Sequence, residues 1–193
     1  MNFFSTQTKR LLLGLLTLSS LVFATSTSQK DKTPVCQRKQ GQTLDINASE
    51  VINWKHNTPN KYENRGHIQG SISKLFPNKN GHRHFEVTFQ DKTDEDTIEI
   101  VYNEDFGALP ELQLGMNVEA CGDYITATDV SGPYPPSPDG AIIHWVHENP
   151  SGKGHPDGFV IIEGTVYGYG RAQSETKPET TSPTQPRNRE ETF

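Results

Sequence analysis

Three histidines, His144, His147 and His155, fall within the sixteen-residue run H-W-V-H-E-N-P-S-G-K-G-H-P-D-G-F. Imidazole with a nearby carboxylate is a common donor set for zinc, and Glu148, Asp157 and Asp139 stand close by in the chain. Spacing alone does not close such a site. On a strand, side chains three apart point to opposite faces, so His144 and His147 converge only if the chain bends at Trp145-Val146. The run also lacks the H-E-x-x-H spacing of a helical zinc site. His82 and His84, two apart on one strand face, form a second imidazole pair.

Other chemistries are poorly supplied. A histidine oriented by Glu148 or Asp157 can act as a general base toward water, but no G-x-S-x-G elbow is present and Ser151 reads as a turn residue. Gly152-Lys153-Gly154 lacks the preceding strand, the following helix and the Lys-Ser/Thr pair of a nucleotide phosphate loop. In a Pro/Gly loop an imidazole commonly donates to a backbone carbonyl and holds the loop's shape. The expected function is therefore a noncatalytic module that binds an envelope protein or a small ligand such as an oligosaccharide. Its binding residues are His144, Trp145, His147, Glu148, His155 and Asp157. The alternative is a nuclease-like zinc hydrolase using His144, His147 and His155 as ligands. No catalytic residue is nominated. Trp145, Tyr124, Tyr134, Phe159 and Tyr167 either offer a stacking surface for sugars or fill the interior of the fold.

The elements that must position these residues are strands. Phe85, Val87 and Phe89 recur at period two, as do Ile98, Ile100 and Tyr102. Further strands are expected at 67–76, 116–125, 141–147 and 158–169, separated by the turn chemistry of Pro77 to Gly81, the acidic turn 91–96 and the Gly/Pro-rich loop 131–140. Five to six short strands with almost no helical periodicity predict an all-β fold, a small OB-like antiparallel barrel over 66–170. Residues 25–65 form an N-terminal extension partly docked on it, flexible at its start, with a short helical turn beginning near Asp45 or Asn47. Residues 171–193, polar and proline-rich, cannot bury enough apolar surface to offset their conformational entropy and are expected to be a disordered tail.

The first 24 residues carry Lys9 and Arg10, then an apolar run from Leu11 to Phe23, then Val22-Phe23-Ala24 in small-x-small form, which is the pattern of a secretory signal peptide. The run is short of the ~20 apolar residues that span a bilayer. Export to the periplasm or the medium follows. Loss of the two basic residues takes the net charge from −6 to −8, which repels phosphodiester backbones and disfavours nucleic acid as a partner. In an oxidising compartment the two cysteines, Cys36 and Cys121, pair as a disulfide, and a loop of roughly 85 residues is restrained by about 4 to 5 kcal/mol in the chain-entropy model.

The segments Gly81-His-Arg-His-Phe85, Tyr102-Asn-Glu-Asp105, Cys121-Gly-Asp-Tyr124, Gly140-Ala-Ile-Ile-His-Trp-Val-His147 and Pro150 to Gly158, in that order, resemble the bacterial exported family catalogued as domain of unknown function 3465. The resemblance covers roughly residues 66–168 and implies a small OB-like barrel in the cell envelope, without a mechanism. Glu148, Asn149, Tyr102 and Phe159 depart from the family's pattern, which has histidine, aspartate, histidine and tryptophan there, and Lys153-Gly154 lengthens the loop.

Overall fold

The structure is a computed structural model and describes residues 33–169. The expected signal peptide and C-terminal tail lie outside the described residues. The period-two alternation forms β2 (His82–Gln90) and β3 (Glu95–Asn103), which send Phe85, Val87, Phe89, Ile98, Ile100 and Tyr102 inward to 1% exposure or less. Each such side chain contributes roughly 1.5 to 3 kcal/mol by leaving water.

The long strand β1 (Glu63–Leu75) pairs through its second half with β2 and through its first half with β4 (Asn117–Thr126). The short strand β5 (Ala141–His144) lies between β3, to which it is parallel, and β4, to which it is antiparallel. The order β1-β2-β3-β5-β4 thus returns to β1 and closes the expected OB-like barrel with five strands, the lower of the five to six foreseen. Closure leaves the barrel strands without a free edge. Two further strands, β6 (Phe159–Ile162) and β7 (Thr165–Tyr167), extend β4 outward.

Two strand expectations change. β5 stops at His144, not His147, because Trp145 adopts φ +50°, which no strand accommodates. The segment 158–169 divides at Glu163-Gly164, both at positive φ, into the β6–β7 hairpin.

The N-terminal extension is more firmly built than a loosely docked turn. Asn47 precedes α1 (Ala48–Asn57), and the Thr58 hydroxyl closes its last turn on the Trp54 carbonyl at 2.6 Å before Pro59 ends it. Ala48 and Val51 enter the barrel core, and Trp54 packs its ring against Tyr62 and Tyr124. Ahead of the helix, residues 37–43 fold back on themselves, and Cys36 is disulfide-bonded to Cys121 of β4. Cys36, Leu44, Cys121 and Phe159 form a second, smaller core on the outer face of β4.

Candidate functional site

β4 supports two strands along one edge. Asp123 to Thr126 pair with β5 and Val118 to Cys121 pair with β6, so only Gly122 separates them. Residues 145–158 leave and return through that gap. The neck is so narrow that a Cβ on Gly158 would overlap the carbonyl oxygens of Trp145 and Cys121, and one on Gly122 would overlap that of His144. The Gly158 amide donates to the His147 carbonyl at 2.7 Å and the Glu148 amide to the Gly168 carbonyl at 2.5 Å, which fixes both sides of the neck.

Beyond the neck the loop is held by its own side chains. Asn149 Nδ2 donates to the carbonyls of Lys153 (2.8 Å) and His155 (2.6 Å), while its Oδ1 accepts from the Ser151 hydroxyl (2.6 Å). The Asp157 carboxylate accepts from the Asn149 amide at 2.6 Å. Underneath, Arg65 of β1 is 1% exposed and donates from Nη1 to Asp123 at 2.7 Å and from Nη2 to the Asp157 carbonyl. Burial pulls the guanidinium below its ordinary range against the opposing pull of Asp123. A buried ion pair thereby ties the end of the loop to the barrel wall.

These constraints assemble a ribbon of rings. Phe106, from the 3₁₀ turn Glu104–Phe106, stacks on His147 with centroids 3.6 Å apart. His147 meets His155 edge-on at 5.9 Å, and His155 stacks on Trp145 at 5.3 Å. Trp145 meets His144 edge-on at 4.5 Å, and His144 stacks on His82 at 5.6 Å. His82 is followed on β2 by His84, 6.4 Å away. The bend at Trp145 converts the opposite-face spacing of a strand into convergence of His144 and His147. A non-glycine residue at φ +50° is uncommon, and here it lies in the middle of the ribbon.

The imidazoles are oriented by fixed acceptors. Nδ1 of His82, His147 and His155 lies 2.9, 2.7 and 2.9 Å from the carbonyls of Asn80, Glu148 and Pro156. A carbonyl only accepts, so each Nδ1 carries a proton, and in the neutral tautomer of such a ring Nε2 is the acceptor. His84 donates from Nδ1 to Glu99 at 2.7 Å, and Glu99 also accepts from Ser137 at 2.6 Å. Burial, reinforced by His82, His147, His155 and His84, lowers the pKa of His144 to about 3. Burial also lowers that of His147, against the raising effect of its bond to the Glu148 carbonyl. His144 and His147 are thus uncharged at neutral pH.

Of the residues expected to bind, His144, Trp145, His147 and His155 come together in the ribbon. Asp157 spends its carboxylate on the loop, and Glu148 supplies backbone to the neck and to His147. Tyr124 and Phe159 are buried in the two cores, away from any stacking surface. Sequence reasoning missed Phe106, a lone aromatic in a turn, and Arg65, whose partner lies 58 positions on. The zinc expectation for His144, His147 and His155 finds no geometric support. Among the described residues no three His, Cys, Asp or Glu side chains are placed to hold a metal ion. Compared with protein families, curated proteins and solved structures, the chain finds no match.

Proposed function

We propose that this chain is an exported, noncatalytic binding module of the cell envelope, and that its ligand is an oligosaccharide lying along the ring ribbon at the neck of the 145–158 loop. The observation that carries this reading is the unbroken run from Phe106 through His147, His155, Trp145 and His144 to His82, with the ring nitrogens oriented by backbone carbonyls. A sugar presents apolar C–H faces that pack on aromatic and imidazole rings, and hydroxyl groups that donate to ring nitrogens. The neutral His144 and His147 rings favour such a ligand over a polyanion, as does the net charge of −6 on the whole chain. Placement in the periplasm or outside the cell is supported by the Cys36–Cys121 disulfide. Among the described residues no helix is long and apolar enough to cross a membrane. The resemblance to the uncharacterised exported family agrees with the same placement.

Titration of the isotopically labelled protein with neutral chito-, cello- and malto-oligosaccharides tests the reading. Saturable shifts centred on the Trp145 indole N–H are expected, with affinity reduced about tenfold in Trp145→Ala. A panel that leaves the Trp145, His144 and His155 resonances unmoved would sink it.

A further inference from the structure

A cleft outside the ribbon also borders His155. It measures about 290 Å³ and opens between the N-terminal turn and the tip of the loop, lined by Gln37, Arg38, Lys39 and Gly41 on one side and by Gly152, Gly154, His155 and Pro156 on the other. Among the described residues its wall contains two permanent cations and no carboxylate, in a chain where acidic residues outnumber basic ones by 24 to 18. The neighbouring hollow on the other side of Arg38, about 570 Å³, shows the contrast, since Asp45, Glu50 and Asp91 share its wall with Arg38 and Lys92.

The cations are held near the cleft without being consumed. Arg38 reaches Glu50 at 3.3 Å with both side chains well exposed, a pairing worth little in water. Lys39 is 4.0 Å from Asp123, whose charge already faces Arg65 at 2.7 Å, and the Lys39 side chain is 48% exposed. Opposite them, a Cβ built on Gly152 or Gly154 would touch nothing, and neither would one on Gly41 of their own wall, so a ligand can approach the backbone there. Lys153, between the two loop glycines, is exposed. The two walls belong to segments far apart in sequence, and the Cys36–Cys121 bond brings them together: Cys36 precedes the turn and Cys121 borders the neck of the loop.

We infer that this cleft binds a small oxyanion, a phosphate or sulfate group, between Arg38 and Lys39 on the disulfide-tethered turn and the Gly152 to His155 backbone. The recognition is charge-assisted hydrogen bonding from guanidinium and ammonium, completed by the Gly154 amide; the Gly41 and Gly152 amides already donate to the Arg38 and Asn149 carbonyls within their own turns, and those glycines serve by leaving the anion room to approach. It differs from a nucleotide phosphate loop, which needs a helix N-terminus that this loop does not have. It does not rest on the sugar reading: the two share His155, but the cleft adds the disulfide-tethered turn and a different chemistry.

The test is titration of inorganic phosphate, then sulfate, into the labelled full chain at constant ionic strength, with chloride as the control. Saturable shifts of the Gly41, Gly152 and Gly154 amides are expected for both oxyanions and not for chloride. The double variant R38Q/K39Q should weaken phosphate by about tenfold or more, while Lys92→Gln, outside the cleft, should leave it unchanged. Lys39 is exposed and Arg38 partly so, and the rest of the spectrum verifies the fold. A C36S/C121S variant, which frees the turn, should weaken phosphate as well. The proposal is overturned if chloride reproduces the shifts, if R38Q/K39Q binds like the parent, or if binding survives at full strength once the turn is released.

Discussion

On the outer face of β1 and β4, Arg65 sets its guanidinium against Asp123, 2.7 Å away, and the Cys36–Cys121 bond fastens the covering segment beside them. On the outer face of β2 and β3, the covering segment is the loop between β4 and β5, and its Asp139 comes within hydrogen-bonding reach of Glu86. The first face buries opposite charges and carries a covalent lock. The second brings like charges together, and one oxygen of Asp139 is buried without a hydrogen-bond partner. An ion pair of opposite sign holds over a wide pH range, whereas two carboxylates share their site comfortably only while a proton is present. The ring ribbon lies where the two faces meet: His144, Trp145 and His155 hang from the locked side, and His82 and His84 from the titrating side.

The largest effect should come from the lock. C36S/C121S is expected to lower the unfolding free energy by about 4 to 5 kcal/mol, read from urea denaturation midpoints. A loss near 1 kcal/mol would mean that the covering turn is held by packing alone and that the two faces differ less than the crosslink implies. Next comes Arg65→Met, which leaves Asp123 buried without its partner and should cost roughly 3 kcal/mol; the R65M/D123N double variant should recover much of it, because the uncompensated charge goes as well. Failure of the double variant to recover stability would show that Arg65 acts through the Asp157 carbonyl and the loop, more than through charge.

How far this division was legible in the sequence depends on the range of each interaction. The alternation of Phe85, Val87 and Phe89 declares a strand with one buried face, because burial on a pleated sheet is local in sequence. The Cys36–Cys121 bond was legible by parity, given two cysteines and an expectation of export. The imidazole cluster was legible as a concentration of histidines, but its convergence was not, since it depends on one positive φ at Trp145. Arg65 gave no signal: a lone arginine at the start of a strand looks exposed until a strand 58 positions later supplies its carboxylate. Asp139 read as a carboxylate near the histidines that could add a metal ligand, and only the closure of β5 onto β3 carries it to Glu86.

The ribbon itself should titrate in acid. His144 has a folded pKa lowered to about 3, below the ~6.5 of an unfolded histidine, so the native state binds fewer protons between those values. Its contribution to stability is present above pH ~6.5 and is lost as the pH falls toward 3. Histidine-to-phenylalanine replacement at 144 keeps a ring between His82 and Trp145 and removes the titration. Relative to the parent, that variant should gain about 2 kcal/mol at pH 4.5 compared with pH 7.5, from denaturation midpoints at the two values. Equal acid sensitivity in parent and variant would move the burden to His147.

The smallest predicted effect runs the other way and separates the titrating face from the ribbon. Asp139 has a pKa raised to about 6, by burial first and by Glu86 second, against an ordinary aspartate near 3.9. The groups facing it are Glu86 from β2, the Thr97 hydroxyl from β3 at 3.3 Å, and Lys55 from α1, whose ammonium is already bonded to Asp96 at 2.6 Å and to the Thr97 carbonyl at 2.7 Å. The folded state therefore holds the Asp139 proton more tightly than the unfolded chain. Its contribution is most favourable below pH ~4 and is lost as the pH rises through 6. Asp139→Asn mimics the protonated acid, since its amide can donate to Glu86. It should stabilise the protein by about 1 kcal/mol at pH 7.5, a modest figure because the site is partly solvated, and change little at pH 4. Hydrogen exchange at Ala127, Ser137 and Gly140, whose amides hold the loop closed, gives the local readout. In the parent, protection there should fall between pH 5 and 7 by more than the intrinsic rate requires, and in the variant it should not. If both proteins lose protection equally, the like-charged pair does not govern the loop, and the contrast between the two faces reduces to the presence or absence of a crosslink.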